Sequence, residues 1–129
     1  MSETHATDAH AHKRILVADD NIDAAESLQM LLQFSGHDVH IATDGPRALT
    51  AAESLRPDVI LLDLGMPGLT GYEVARRIRA EEWGRGMVIV ALTGWGQDED
   101  RQRTAEAGFD HHLTKPVPPE TIEDLIRFL

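Results

Sequence analysis

Apolar residues in this chain fall into two patterns that take turns along its length. Short unbroken runs, Ile15-Leu16-Val17-Ala18, Val59-Ile60-Leu61-Leu62 and Met87-Val88-Ile89-Val90-Ala91-Leu92, read as strands buried on both faces. Val39, Ile41 and Ala42 predict a strand between the first two, and His111-His112-Leu113 predict a short fifth. Elsewhere the spacing is helical. Ala24, Leu28, Leu31 and Leu32 recur within 22–34, with Asp23 and Glu26 in the first turns and Gly36 past the end, so both termini of that helix are marked. Asp44-Gly45-Pro46 opens a second helix that runs through Leu55 and stops at Arg56-Pro57. Within 72–80, Val74, Ala75 and Ile78 share one side while Arg76, Arg77 and Arg79 lie outside. Ile122, Leu125, Ile126 and Leu129 predict a last helix running to the final residue. Residues 97–106 are nearly all polar, with Ala105 and Ala107 as their apolar contacts, which predicts a lightly anchored helix.

Strand and helix alternate five times, which selects an α/β fold: a five-stranded parallel sheet with five helices on both faces and right-handed crossovers. A length of 129 residues suits one domain with a real core. Residues 1–12 are small and polar and carry His5, His10 and His12. They cannot bury enough apolar area to offset their ordering entropy, so a disordered tail is expected there, with metal binding by the histidines as the alternative. The domain then occupies 13–129, and its abrupt ending suggests that the natural chain continues.

Composition narrows the function. A formal net charge of -10 argues against non-specific affinity for nucleic acid, which needs clustered Lys and Arg, and leaves proteins, small ions or phosphorylated groups as partners. The chain has no cysteine, so a disulfide framework, a thiol nucleophile and a cysteine metal site are excluded. No leader-like or bilayer-length apolar segment is present, and the expected location is cytoplasmic, away from the membrane.

The candidate chemistry lies where the strands stop. Strands one, three, four and five close on Asp19-Asp20, Asp63, Thr93 and Lys115. Parallel strands all point one way, so these side chains converge on the carboxyl edge of the sheet, where open α/β folds bind ligands. Each residue alone has an ordinary reading as a turn, cap or surface charge; together they form a site. Three carboxylates held close repel unless a cation joins them, and Mg²⁺ suits oxygen ligands while keeping positions for phosphate oxygens. Lys115 then supplies a point charge and Thr93 a hydroxyl for a phosphoryl group. Asp63, flanked by Asp19 and Asp20 as metal holders, is the best placed nucleophile for an aspartyl phosphate.

These residues, with Leu62-Asp63, Met66-Pro67-Gly68, Gly71, Ala91-Leu92-Thr93 and Lys115-Pro116 in order and spacing, resemble the receiver domain of two-component response regulators over 13–129. The resemblance implies a flavodoxin-like sheet of strand order 2-1-3-4-5 and transfer to Asp63 from the phosphohistidine of a sensor histidine kinase or phosphotransfer protein. It also implies Mg²⁺ held by Asp20, Asp63 and the Gly65 carbonyl with Asp19 assisting through water, a phosphoryl group held by Thr93 and Lys115, and a cis bond before Pro116. Such a domain promotes only its own phosphorylation and dephosphorylation, and then switches its protein-binding face through Thr93 and the polar helix 97–106. Two positions depart from the common pattern. His112 stands where the family usually has a Tyr or Phe switch, and is read either as a switch or as a surface strand histidine. Trp95 is large for the mouth of the site, and either shields the phosphoryl group or covers a neighbouring apolar patch.

The chain is thus expected to be a stand-alone regulator or the receiver of a hybrid histidine kinase, which the Gly65-Met66-Pro67-Gly68 and Thr93-Gly94-Trp95-Gly96 loops resemble. Two other readings compete. A haloacid dehalogenase type phosphohydrolase would want an acid two residues after the nucleophile, where Gly65 stands. A degenerate receiver acting as a binding module independent of phosphorylation would lack a site residue, and none is missing. Oligomeric state is left open.

Overall fold

The structure, a computed structural model, describes residues 12–94 and 100–129. Five strands and five helices alternate: β1 (Arg14–Ala18), α1 (Ile22–Phe34), β2 (Asp38–Ala42), α2 (Gly45–Leu55), β3 (Val59–Asp63), α3 (Gly71–Ala80), β4 (Val88–Thr93), α4 (Asp100–Ala107), β5 (His111–Thr114) and α5 (Pro119–Arg127), with a 3-10 turn, Glu82–Gly84, before β4. All strand pairs are parallel and the order is β2-β1-β3-β4-β5. This is the flavodoxin-like order that the resemblance implies.

Side chains along a strand point alternately to the two faces, so each interior apolar run feeds two cores. Leu16, Ala18, Ile60, Leu62, Ile89 and Ala91 pack with Ala48 and Ala52 of α2, Val74 and Ile78 of α3 and Ala107 of α4. Ile15, Val17, Val59, Leu61, Val90 and Leu92 pack with Ala25 and Leu32 of α1 and Ile122 and Ile126 of α5. The sheet is thereby pinned between two helical layers, and its carboxyl edge is left for polar residues.

Helix starts face that same edge, and those of α1, α2 and α3 are set by side-chain caps that satisfy orphan N–H groups. Asn21 accepts from the Ala24 N–H at 3.1 Å, Asp44 from the Arg47 N–H at 2.7 Å, and Thr70 and Glu73 form a reciprocal capping box. Gly71 begins α3 hard against the end of β3: a Cβ there would lie 2.7 Å from the Asp63 carbonyl oxygen. A side chain at 71 would push on the Asp63 backbone.

Several sequence expectations are corrected. In α1 the buried alanine is Ala25, while Ala24 is exposed, because the helix turns its stripe by one position to meet β1 and β2. In α4 Thr104 and Ala107 are buried, whereas Ala105 is exposed. The last helix ends at Arg127, capped at Phe128, and Leu129 lies beyond it. Residues 97–99 of the expected polar helix, and 1–11 of the expected tail, lie outside the described residues.

Arg79 does not lie outside with its neighbours. Its guanidinium donates to the carbonyls of Gly108 at 2.9 Å, Gly84 at 2.8 Å and Met87 at 2.7 Å, and to the Asp110 carboxylate at 2.7 Å. Asp110 in turn accepts from the Ile89 N–H at 2.9 Å. One planar fork therefore ties the end of α3, the start of β4 and the α4–β5 turn together. An ammonium cannot span these partners, so Arg79→Lys is expected to lower unfolding free energy by about 2 kcal/mol, read by urea denaturation.

Candidate functional site

The registers bring the strand ends level. Ala18 pairs with Leu62, Leu62 with Ala91, Asp63 with Leu92 and Thr93 with Thr114. Asp19 and Asp20 follow β1, Asp63 closes β3, Thr93 closes β4 and Lys115 follows β5. The Lys115 N–H donates to the Thr93 carbonyl at 2.7 Å, which holds the lysine backbone at the edge, and the Lys115-Pro116 peptide is cis.

Oxygens of Asp19, Asp20 and Asp63 all lie within 4.8 Å of one another. Asp19 is buried and fixed on both oxygens: Oδ1 accepts from the Asn21 N–H at 3.0 Å and Oδ2 from Lys115 Nζ at 3.0 Å. Asp63 has Oδ1 held by the Gly65 N–H at 3.1 Å and Oδ2 3.4 Å from Lys115 Nζ. Asp20 is exposed at the rim. Asn21 and the Gly65 N–H were not among the residues expected from sequence to shape the site. Their contribution is a backbone donor in a turn, which residue type does not announce.

Charge at the site is unbalanced. Burial pushes the Asp63 carboxyl above the ordinary aspartate range; the Gly65 N–H and Lys115 oppose this, and the Asp19 charge adds to it. Burial works against the Lys115 ammonium as well, yet the hydrogen bond to Asp19 and the fields of both carboxylates hold its pKa above the usual lysine value. The two directions are consistent because Lys115 sits closer to Asp19 than to Asp63. Its charge goes first to Asp19, and Asp63 is left under-compensated.

Thr93 is buried, and its hydroxyl lies 3.0 Å from His112 Nε2. His112 is partly buried on β5, and its Nδ1 lies 3.3 Å from the Thr104 hydroxyl. Thr104 had no sequence signal: a polar residue in a polar segment reads as solvated. Trp95, like His5 and His10, lies outside the described residues. Beside Asp19 and Lys115 a groove of about 770 Å³ runs between α1 and α5, lined by Leu28, Leu31, Val117 and Ile122.

A doubly wound parallel sheet with an acidic triad, a lysine and a hydroxyl at its carboxyl edge is the arrangement of a phosphoacceptor domain. Comparison with known proteins makes the class specific: residues 15–127 match the response regulator receiver domain, and the chain belongs to that family. It is 40% identical over 115 residues to the DNA-binding response regulator MtrA of Mycobacterium leprae, covering 89% of this chain and 50% of that protein. The chain thus spans about half the length of the MtrA relatives it matches. Among solved structures it is similar to the chemotaxis response regulator CheY4 of Vibrio cholerae, with a TM-score of 0.83 and 34% identity over 90% of this chain and 98% of that one. It is also similar to the receiver domain of sensor histidine kinase PA1611 from Pseudomonas aeruginosa, solved with a magnesium ion coordinated in the active site cleft. That match has a TM-score of 0.83 and 33% identity over 91% of this chain and 96% of that one. No helix among the described residues is long and apolar enough to cross a membrane.

The raised Asp63 pKa sets a stability sign. The unfolded chain releases this proton more readily than the fold does, so Asp63 lowers stability as pH rises from the ordinary aspartate range through its folded pKa. Asp63→Asn, measured without divalent ions, is expected to raise the thermal midpoint by a few degrees at neutral pH, with the gain vanishing below the ordinary aspartate range.

Proposed function

We propose that this chain is a two-component receiver that accepts a phosphoryl group onto Asp63 from the phosphohistidine of a sensor histidine kinase or phosphotransfer protein. The observation that carries the reading is the under-compensated, half-enclosed Asp63 carboxylate, with one oxygen tied to the Gly65 N–H and the other facing Lys115. In the transfer an Asp63 oxygen bonds to phosphorus, the bond from phosphorus to the donor nitrogen breaks, and the imidazole keeps that electron pair. Lys115 and the Thr93 hydroxyl hold phosphoryl oxygens, so the protein acts by positioning and charge compensation. The domain promotes only the gain and loss of its own phosphoryl group.

The donor set fits a hard divalent cation: three carboxylates supply oxygens within 4.8 Å of one another, and one lysine cannot neutralise them all. Asp19, Asp20 and Asp63, with the Gly65 carbonyl, would hold Mg²⁺. When bound, it supplies positive charge and coordination positions for phosphoryl oxygens. The magnesium in the PA1611 receiver supports this assignment. The groove between α1 and α5, apolar along its length and opening at Lys115, is the surface proposed for the donor protein. The balance of acidic over basic residues supports a protein partner and the absence of direct nucleic-acid contact by this domain. A cytoplasmic site of action follows from partners of this kind.

The test is intact mass after incubation with Mg²⁺ and acetyl phosphate. The wild type is expected to gain the mass of one phosphoryl group, Asp63→Asn to abolish the gain by removing the accepting carboxylate, and removal of Mg²⁺ to cut the modified fraction at least about a hundredfold, the scale of losing a charge-stabilising group in such transfers. An unmodified wild type under donor excess, with Mg²⁺ failing to raise its thermal midpoint, would favour the phosphorylation-independent binding module.

A further inference from the structure

Residues 65–69 lie in the turn from β3 to α3 and carry both backbone groups of Gly65 that serve the site. The Gly65 N–H donates to Asp63 Oδ1 at 3.1 Å, and its carbonyl is the one proposed for Mg²⁺. The ends of the turn are fixed: Leu64 donates its N–H to the Leu92 carbonyl at 3.2 Å and accepts from the Gly71 N–H at 3.2 Å, and the Leu64 and Met66 side chains are buried. Between those points Gly65, Pro67 and Gly68 are exposed. Among the described residues, one main-chain hydrogen bond ties 65–69 to another element, from the Gly45 N–H of α2 to the Pro67 carbonyl at 3.2 Å.

That donor is available because of how α2 starts. The first N–H groups of a helix have no partner within it. Asp44 takes those of Arg47, through Oδ1 at 2.7 Å, and of Ala48, through its carbonyl at 2.9 Å. Pro46 has none to give, so the Gly45 N–H is the one that reaches outward. The approach leaves no room for a side chain: a Cβ at 45 would lie 2.2 Å from the Leu69 carbonyl oxygen, and one at 68 would lie 2.8 Å from Pro46 Cδ. Carbon–oxygen contacts between backbones settle near roughly 3.3 Å, so a methyl at 45 displaces the turn by on the order of 1 Å. With both ends fixed, so short a turn passes that displacement on to Gly65.

We infer that Gly45 is a positioning residue for the phosphoacceptor site: the first turn of α2 clamps residues 65–69 and sets where the Gly65 carbonyl and N–H stand relative to Asp63. The inference rests on the phosphoacceptor reading above. Gly45 touches none of the reacting atoms and acts through the Pro67 and Leu69 backbone. Mg²⁺ takes oxygens at about 2.0–2.1 Å in a near-octahedral array, so a shift on the order of 1 Å at the Gly65 carbonyl removes a ligand rather than stretching a bond. Linkage makes the coupling reciprocal: a cation held by that carbonyl protects the Gly45–Pro67 hydrogen bond in turn. The helix start thus bears on the acidic site from outside it.

The test follows MgCl₂ titrations of the whole chain by amide NMR, with Gly45→Ala beside Gly84→Ala. A Cβ at 84 would lie 2.0 Å from the Ile78 carbonyl oxygen, a comparable clash placed before β4 at the opposite edge of the sheet. Both variants are expected to lower the thermal midpoint. Gly45→Ala is expected to raise the Mg²⁺ dissociation constant at least about tenfold, the scale for groups that orient metal ligands, and Gly84→Ala to change it less than about twofold. In the wild type, saturating Mg²⁺ is expected to slow exchange of the Gly45 amide at least about fivefold relative to that of Arg47, which the Asp44 side chain holds. That comparison decides the matter even where Gly45→Ala fails to fold. A dissociation constant in Gly45→Ala within about twofold of the wild type, an equal rise in Gly84→Ala, or an unchanged ratio of Gly45 to Arg47 exchange would overturn the inference while leaving the phosphoacceptor reading intact. A wild type that binds no Mg²⁺ would instead overturn that reading, and the inference with it.

Discussion

Three carboxylates share one lysine at the carboxyl edge of the sheet, and the rest of the site follows from that imbalance. Lys115 is 3.0 Å from Asp19 and 3.4 Å from Asp63, while Asp20 stays at the rim. Like charges this close are held only because the sheet holds them: each acid ends or follows an interior strand whose apolar residues are locked between two helical layers. The fold therefore carries electrostatic cost at one edge and offsets it with burial everywhere else. What relieves the cost is added positive charge, which Lys115 supplies in part and the proposed Mg²⁺ would complete.

The same strand geometry explains how much could be read before any coordinates. Interior parallel strands are unbroken apolar runs, so Ile15 to Ala18, Val59 to Leu62 and Val88 to Leu92 were legible, and their closing residues were legible with them. Strand order was not, since alternation of strand and helix fixes the handedness of crossovers but not which strands are neighbours; it came from the family resemblance. Helix faces were legible to within one position, as the exchange of Ala24 for Ala25 shows.

Polar residues that act through geometry were the least legible. Arg79 stands in a run of arginines and reads as solvent-facing, yet the backbone carbonyls around it make it an internal tie. Thr104 looks like one more polar residue of a polar helix, and only the position of β5 turns it toward His112. His112 itself was legible as a departure from the family pattern, but its two nitrogens acquire meaning only from the hydroxyls on either side. Side-chain hydrogen bonds across elements depend on angles and register that residue type does not encode.

The central claim is that Asp63, rather than Asp19 or Asp20, forms the bond to phosphorus. Borohydride reduction of the acetyl phosphate-treated protein converts an aspartyl phosphate to homoserine, and peptide mass mapping then locates it. Homoserine at position 63 alone is the result the account predicts. Homoserine at 19 or 20, or unmodified aspartate at 63 in protein that carries a phosphoryl group, would contradict it.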